Sequence, residues 1–297
     1  MKRINTRRQL ELHDAYETAC RMIHQGDVDG LRKQLDQFPH LAWWQSHADS
    51  QGTRSTLLRE ATGRGMEEWP ENASLIAGTL IRAGAKVNEA ERPQQQETPL
   101  HDAVSVNNVE VTKVLLEAGA DTEAPGRFDG SIDTALGYAL FYGMDEKNPR
   151  FPVNCPEVLM RHGAQVYLPF AAALGNLKQV KSFFRPDHSL LPEAGIAPPK
   201  RTLQQAFLFA CKSGQLTVCE YLLYRGVDIN ASIPFFHHRA TGLHLACESG
   251  QQRELVKFLL SKGADPTIKD GVFDADAKGW AMFNGQDEVF RVLRRES

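Results

Sequence analysis

Thr98-Pro99-Leu100-His101 opens a helical pattern that closes at Leu115-Leu116-Glu117-Ala118-Gly119-Ala120-Asp121. The same grammar returns as Thr241-Gly242-Leu243-His244 and ends at Leu259-Leu260-Ser261-Lys262-Gly263-Ala264-Asp265. Thr98 has the side chain of a helix N-cap. Pro99 follows at the first helical position, where its fixed φ suits the helix and its missing N–H goes unnoticed.

Working outward, units align on the residue that closes their first helix. The starts fall at Glu17, Thr56, Thr98, Thr134, Val166, Gln205, Thr241 and Asp276. The closing residues are Gly26, Gly65, Asn107, Gly143, Gly175, Gly214, Gly250 and Gly285. Gly and Asn best tolerate the left-handed backbone that ends a helix. The sixth position reads Met22, Ala61, Ala103, Ala139, Ala171, Ala210, Ala246 and Ala281. A small side chain there lets stacked helices approach closely, and Met22 departs from it as a terminal cap would. Second helices end in apolar pairs and a Gly, as in Leu80-Ile81 before Gly84, Leu159-Met160 before Gly163 and Leu222-Leu223 before Gly226.

From about Glu17 onward this grammar resembles the ankyrin-repeat family, whose period is about 33 residues. The third and seventh units carry the resemblance most fully, whereas the fifth loses its Thr start and its Gly-Ala ending. The resemblance implies an all-α repeat solenoid of about eight helix pairs, linked by β-turn fingers, with degenerate first and last units as caps. Residues 1–16 are then a basic lead-in and residues 17–297 one solenoid. The style of the inserts looks like bacterial ankyrin proteins of unassigned role. Two inserts separate paired helices, one spanning Met66 to Asn72 and one Met144 to Asn154. Two fingers are extended, Thr122 to Ile132 and Ile229 to Ala240.

Bulk composition narrows the function. Of 297 residues 42% are hydrophobic, which suits a folded chain. A net charge of -3 and a pI near 6.4 argue against a nucleic-acid partner. No apolar run approaches the roughly 20 residues of a membrane span, and Met1 to Tyr16 carry no secretory core. Five cysteines at irregular spacing suggest no disulfide framework, so a reducing cytoplasm is expected. The basic start, Lys2, Arg3, Arg7 and Arg8, is read as a solvated tail.

Most chemistry-bearing residues fall on repeat positions. Cys211 and Cys247 share the seventh position and are read as small core residues. In the family the fourth-position His, here His101 and His244, ties the Thr start and neighbouring turns by hydrogen bonds. Asp121, Asp228 and Asp265 belong to the turns. No CxxC, HExxH, nucleophile-elbow or phosphate-loop pattern is present, so no metal, cofactor or catalytic residue is assigned.

The finger aromatics Phe128, Phe235, Phe236 and Phe273 lie outside the repeat grammar. Interface hot spots favour aromatics and Arg, so Arg127, Phe128, Phe235, Phe236 and His237 are the expected partner-binding residues. Trp43, Trp44, Trp69 and Trp280 are read as core or cap aromatics. The resulting expectation is a monomeric, non-catalytic module that binds a protein partner across its fingers and concave face. One alternative is an inhibitor or immunity-type regulator of one enzyme. Another is an enzyme with a site between Val166 and Lys200, where Asp187-His188 is the suggestive pair.

Overall fold

In the computed structural model, residues 2–46, 55–63, 68–90, 96–126, 133–142, 154–233, 237–248 and 252–296 are described, with backbone only at 2–9, 237, 295 and 296. Among them are sixteen α-helices in eight pairs. They are α1 (Lys2–Gln25) with α2 (Val28–Gln37), α3 (Leu57–Glu60) with α4 (Ala73–Arg82), α5 (Pro99–Ser105) with α6 (Val109–Glu117), and α7 (Ala135–Phe141) with α8 (Cys155–Arg161). Then follow α9 (Leu168–Ala173) with α10 (Leu177–Ser182), α11 (Pro199–Lys212) with α12 (Leu216–Tyr224), α13 (Gly242–Glu248) with α14 (Arg253–Ser261), and α15 (Ala277–Phe283) with α16 (Asp287–Glu296).

Most of these helices are too short to persist alone, so tertiary packing must hold them. Helices α1–α8 form one compact unit and α9–α16 another. In the first, α1, α3, α5 and α7 pack in series, and α2, α4, α6 and α8 form a parallel series. In the second, α9, α11, α13 and α15 repeat the arrangement, backed by α10, α12, α14 and α16. The seven sixth-position alanines from Ala61 to Ala281 are all buried. Met22 is half-buried.

Polar side chains stitch successive pairs together at the start of the second helices. Asn108 caps α6 by accepting from the Val111 N–H at 3.3 Å, while its amide donates to the Thr62 carbonyl of the preceding pair at 3.0 Å. Asn72 donates likewise to Gly26 O at 2.8 Å and Gln252 to Lys212 O at 2.7 Å. The closing residue therefore meets two demands at once. Gly175 has φ +68°, and a Cβ on it would lie 2.3 Å from Oε1 of Gln215. Asn107 satisfies the same backbone demand at φ 52° and uses its side chain, which accepts from the Cys155 N–H at 3.0 Å.

The finger turns are linked in a similar way. Four residues after the second-helix Gly, Asn88 donates to Gly119 O at 3.0 Å and accepts from Asp121 N–H at 2.9 Å. Asn230 makes the same bridge to Gly263 O at 3.3 Å and Asp265 N–H at 2.8 Å. Asp121, Asp228 and Asp265 each accept a backbone N–H two residues on, as turn aspartates do.

Several boundaries differ from the sequence expectation. The basic start is not a tail separate from the first repeat, because its backbone belongs to α1. The buried stripe Ala15, Tyr16, Ala19 and Ile23 carries helical spacing back across Glu17. Gln205 is no helix start; it is buried inside α11, which Pro199 opens six residues earlier. In the second pair α3 is a single turn, and Gly63 takes the positive φ (+90°) with Trp69 stacked over it. Gly65, Gly143 and Gly250 lie outside the described residues, as do Met66 and Glu67 of the first insert and residues 144–153 of the second. After α10, a bridge between Phe184 and Leu190 and a 3-10 turn at Pro192–Ala194 replace the Gly-Ala ending.

Gly242, where the other clear unit has Pro99, is held by close packing. A Cβ there would sit 2.7 Å from Cε1 of Phe207 and 2.8 Å from Sγ of Cys211. Gly242→Ala is therefore expected to destabilise the protein by about 1–3 kcal/mol through overpacking. Equilibrium urea unfolding measures it, and an unchanged midpoint would contradict the packing described.

Candidate functional site

Two of the fourth-position side chains are histidines, His101 and His244. Nδ1 of His101 accepts from the Thr98 N–H at 3.1 Å and lies 3.0 Å from its hydroxyl. An accepting Nδ1 leaves the proton on Nε2, which donates to the Asp133 carbonyl at 2.8 Å. His244 repeats this with Thr241 at 3.2 and 2.7 Å and with Ala275 O at 3.2 Å. In both cases the accepting carbonyl immediately precedes the start of the next pair.

Arg59 holds the same position in the second pair. Its Nη1 donates to Glu97 O, the carbonyl before Thr98, at 2.6 Å. Its Nη2 pairs with Asp102 at 2.7 Å, the two side chains being 6% and 2% exposed. Tyr138 Oη donates to Glu97 Oε1 at 2.7 Å. This cluster of charged and aromatic groups resembles a site in composition, yet every member named is buried. Its geometry ties one pair to the next.

Burial lowers the His101 pKa to about 4 and moves His244 in the same direction. The unfolded chain binds a proton near pH 6.5 that folded His101 refuses until about pH 4. Stability therefore rises with pH across that window. Between pH 7 and pH 5, His101 alone is expected to remove about 2 kcal/mol. Denaturant titrations of wild type and His101→Gln at both pH values check this, and an equal loss in the variant would contradict it.

The Asp187-His188 pair does not act as a unit. Asp187 accepts from Ser189 N–H at 3.0 Å and Ser189 Oγ at 2.7 Å, closing an exposed turn. Those hydrogen bonds hold its carboxyl below the usual carboxylate range. Nδ1 of His188 faces the Arg225 guanidinium instead. Cys155, Cys211, Cys219 and Cys247 are buried thiols, and burial pushes Cys155 and Cys247 up to about 12. Among the described residues no group of three or more His, Cys, Asp or Glu could hold a metal ion.

The finger between α14 and α15 is built differently. Asp270 is buried and accepts from the N–H groups of Val272 at 2.8 Å, Phe273 at 2.6 Å and Ala275 at 3.3 Å, and from Trp280 Nε1 at 2.8 Å. Burial would raise its pKa; the four donors outweigh that and hold it below the ordinary value. One carboxylate thus folds the loop around itself and turns Val272 and Phe273 outward, 61% and 65% exposed. The His238 ring packs against Phe273 at 4.9 Å between centroids. His238 and Arg239 both sit at φ 59°, a costly backbone for residues with a Cβ, and His238 O accepts from Gly271 N–H at 2.7 Å.

Of the expected contact residues, Arg127, Phe128, Phe235 and Phe236 lie outside the described residues, as does the side chain of His237. Phe273, singled out with them, is described and exposed. Trp280 is buried as expected of a cap residue, whereas Trp43 is 42% exposed and edges against His40. Asp270 and Arg59 were missed. Asp270 lies within a finger and fits no repeat position, and that misfit was the available signal.

Comparison with known proteins agrees with this geometry. A family model described as ankyrin repeats in three copies matches residues 168–270, and a single ankyrin-repeat model matches residues 95–127. The putative ankyrin repeat protein FPV018 of Fowlpox virus (strain NVSL) is 27% identical over 240 residues, covering 75% of this chain and 33% of that one. The ankyrin repeat and KH domain-containing protein mask-1 of Caenorhabditis elegans is 27% identical over 261 residues, covering 83% and 9%. The chain thus spans about a third and about a tenth of these two relatives. Its fold is that of ankyrin repeats, helix pairs that stack through their first helices within each compact unit.

Proposed function

We propose that the chain is a non-catalytic module that binds a protein partner through its fingers. The observation that carries this reading is the outward pair Val272 and Phe273, fixed by the buried carboxylate of Asp270. Ankyrin repeats generally serve as protein–protein interaction modules, which supports it. An aromatic that is exposed yet held by its own backbone loses little freedom when a partner covers it. Arg127, Phe128, Phe235, Phe236 and His237 extend the contact set on the two lengthened fingers. In this reading the chain acts as a cytoplasmic monomer of the bacterial type.

Phe273→Ala removes an exposed ring, so melting should stay within about 0.5 kcal/mol of wild type. Proteins captured from native extract by the wild-type chain, identified by mass spectrometry, should be lost with Phe273→Ala or with Phe235→Ala and Phe236→Ala together. Undiminished capture by all three substitutions combined would overturn the reading. A melting point many degrees lower for the Phe235 and Phe236 variant would instead make those rings core.

A further inference from the structure

Away from the fingers, the second helices α10, α12 and α14 enclose an open groove of about 600 Å³. Tyr221, Tyr224 and Phe258 supply its aromatic lining, Lys181 and Lys262 its cations, and Glu220 its carboxylate. Second helices in such a stack need one buried face only. Val218, Cys219 and Leu222 are the buried residues of α12. Tyr224, by contrast, is 74% exposed, so the stack does not account for its ring.

The charge pattern is as unusual as the aromatics. Lys113 and Lys257, on α6 and α14, pair with glutamates three residues before them. Lys181 and Lys262 have no carboxylate partner among the described residues. Each ammonium sits over a ring instead, Lys181 at 5.4 Å from the Tyr221 centroid and Lys262 at 5.5 Å from that of Phe258. The Arg225 guanidinium stacks nearby on Phe184 at 4.3 Å and Tyr221 at 5.0 Å. A cation over an aromatic face keeps its charge available to a second, anionic neighbour.

We infer that this groove binds an acidic peptide segment, with carboxylates on Lys181 and Lys262 and an apolar side chain between Tyr221, Tyr224 and Phe258. Helices packed side by side lie about 9 Å apart, so α10 and α14 flank α12 across roughly 18 Å. An extended peptide advances about 3.3 Å per residue and crosses that span in about six residues. A single small anion meets one lysine and leaves the apolar floor uncovered.

Fluorescence anisotropy tests this with a fluorescein-labelled peptide Glu-Glu-Leu-Phe-Glu-Leu-Glu-Glu and its counterpart with Gln for every Glu. The acidic peptide should bind the full chain saturably, and the Gln peptide about tenfold more weakly or worse. Lys181→Glu with Lys262→Glu should weaken the acidic peptide by about tenfold or more. Both side chains are exposed, so the variant keeps its fold, which circular dichroism checks. Lys181→Gln with Lys262→Gln should give a smaller loss in the same direction. Phe273→Ala should bind the peptide as wild type does, which separates this groove from the finger. Equal binding of both peptides, indifference to both lysine variants, or no saturable binding at about 1 mM would overturn the proposal.

Discussion

At three junctions a hydrogen bond runs from one helix pair to the backbone carbonyl before the next, and the stacking there depends on it. Two short helices cannot bury their apolar faces against each other alone, so each pair depends on its neighbour. His101, His244 and Arg59 make that bond from the same position, each to the residue preceding the next unit. Where it is made, it fixes the register in which neighbouring sixth-position alanines meet. The bond needs a donor reaching out of a buried site. A neutral imidazole meets that need at little electrostatic cost, whereas Arg59 needs Asp102 beside it.

That division of labour separates structure from display. The interior side chains that look chemical are spent on joining pairs. Surface features that joining does not require stand out by contrast. They are the finger built on Asp270 and the basic, aromatic groove over α12. The first displays apolar surface beside a surface ion pair, Lys269 with Asp274. The second combines rings with cations, Lys181 over Tyr221 and Lys262 over Phe258. The two would therefore select different chemistry in whatever they hold.

The repeat itself was legible because its constraints are local. Thr98 to His101, the sixth-position alanines and Asn107 each carry their reason in one residue type and one spacing. Arg59 was illegible as the counterpart of His101, since equivalence lies in where the donor reaches and not in the side chain. The opening of α11 at Pro199 was hidden because the alignment forced a unit start onto Gln205. The finger aromatic Phe273 was found, but the carboxylate that holds it was not. Asp270 works through four donors lying two to ten residues after it, a pattern with no fixed sequence period.

Hydrogen exchange at the amides of Val272, Phe273 and Ala275 tests the central claim most directly. That claim is that the displayed surface is fixed before any partner arrives. These amides belong to an outward loop, yet each donates to the buried carboxylate of Asp270. Slow exchange in the free chain, lost on Asp270→Ala while α13 and α15 stay protected, is the predicted result. Exchange at the rate of an unstructured loop in the wild-type chain would contradict it.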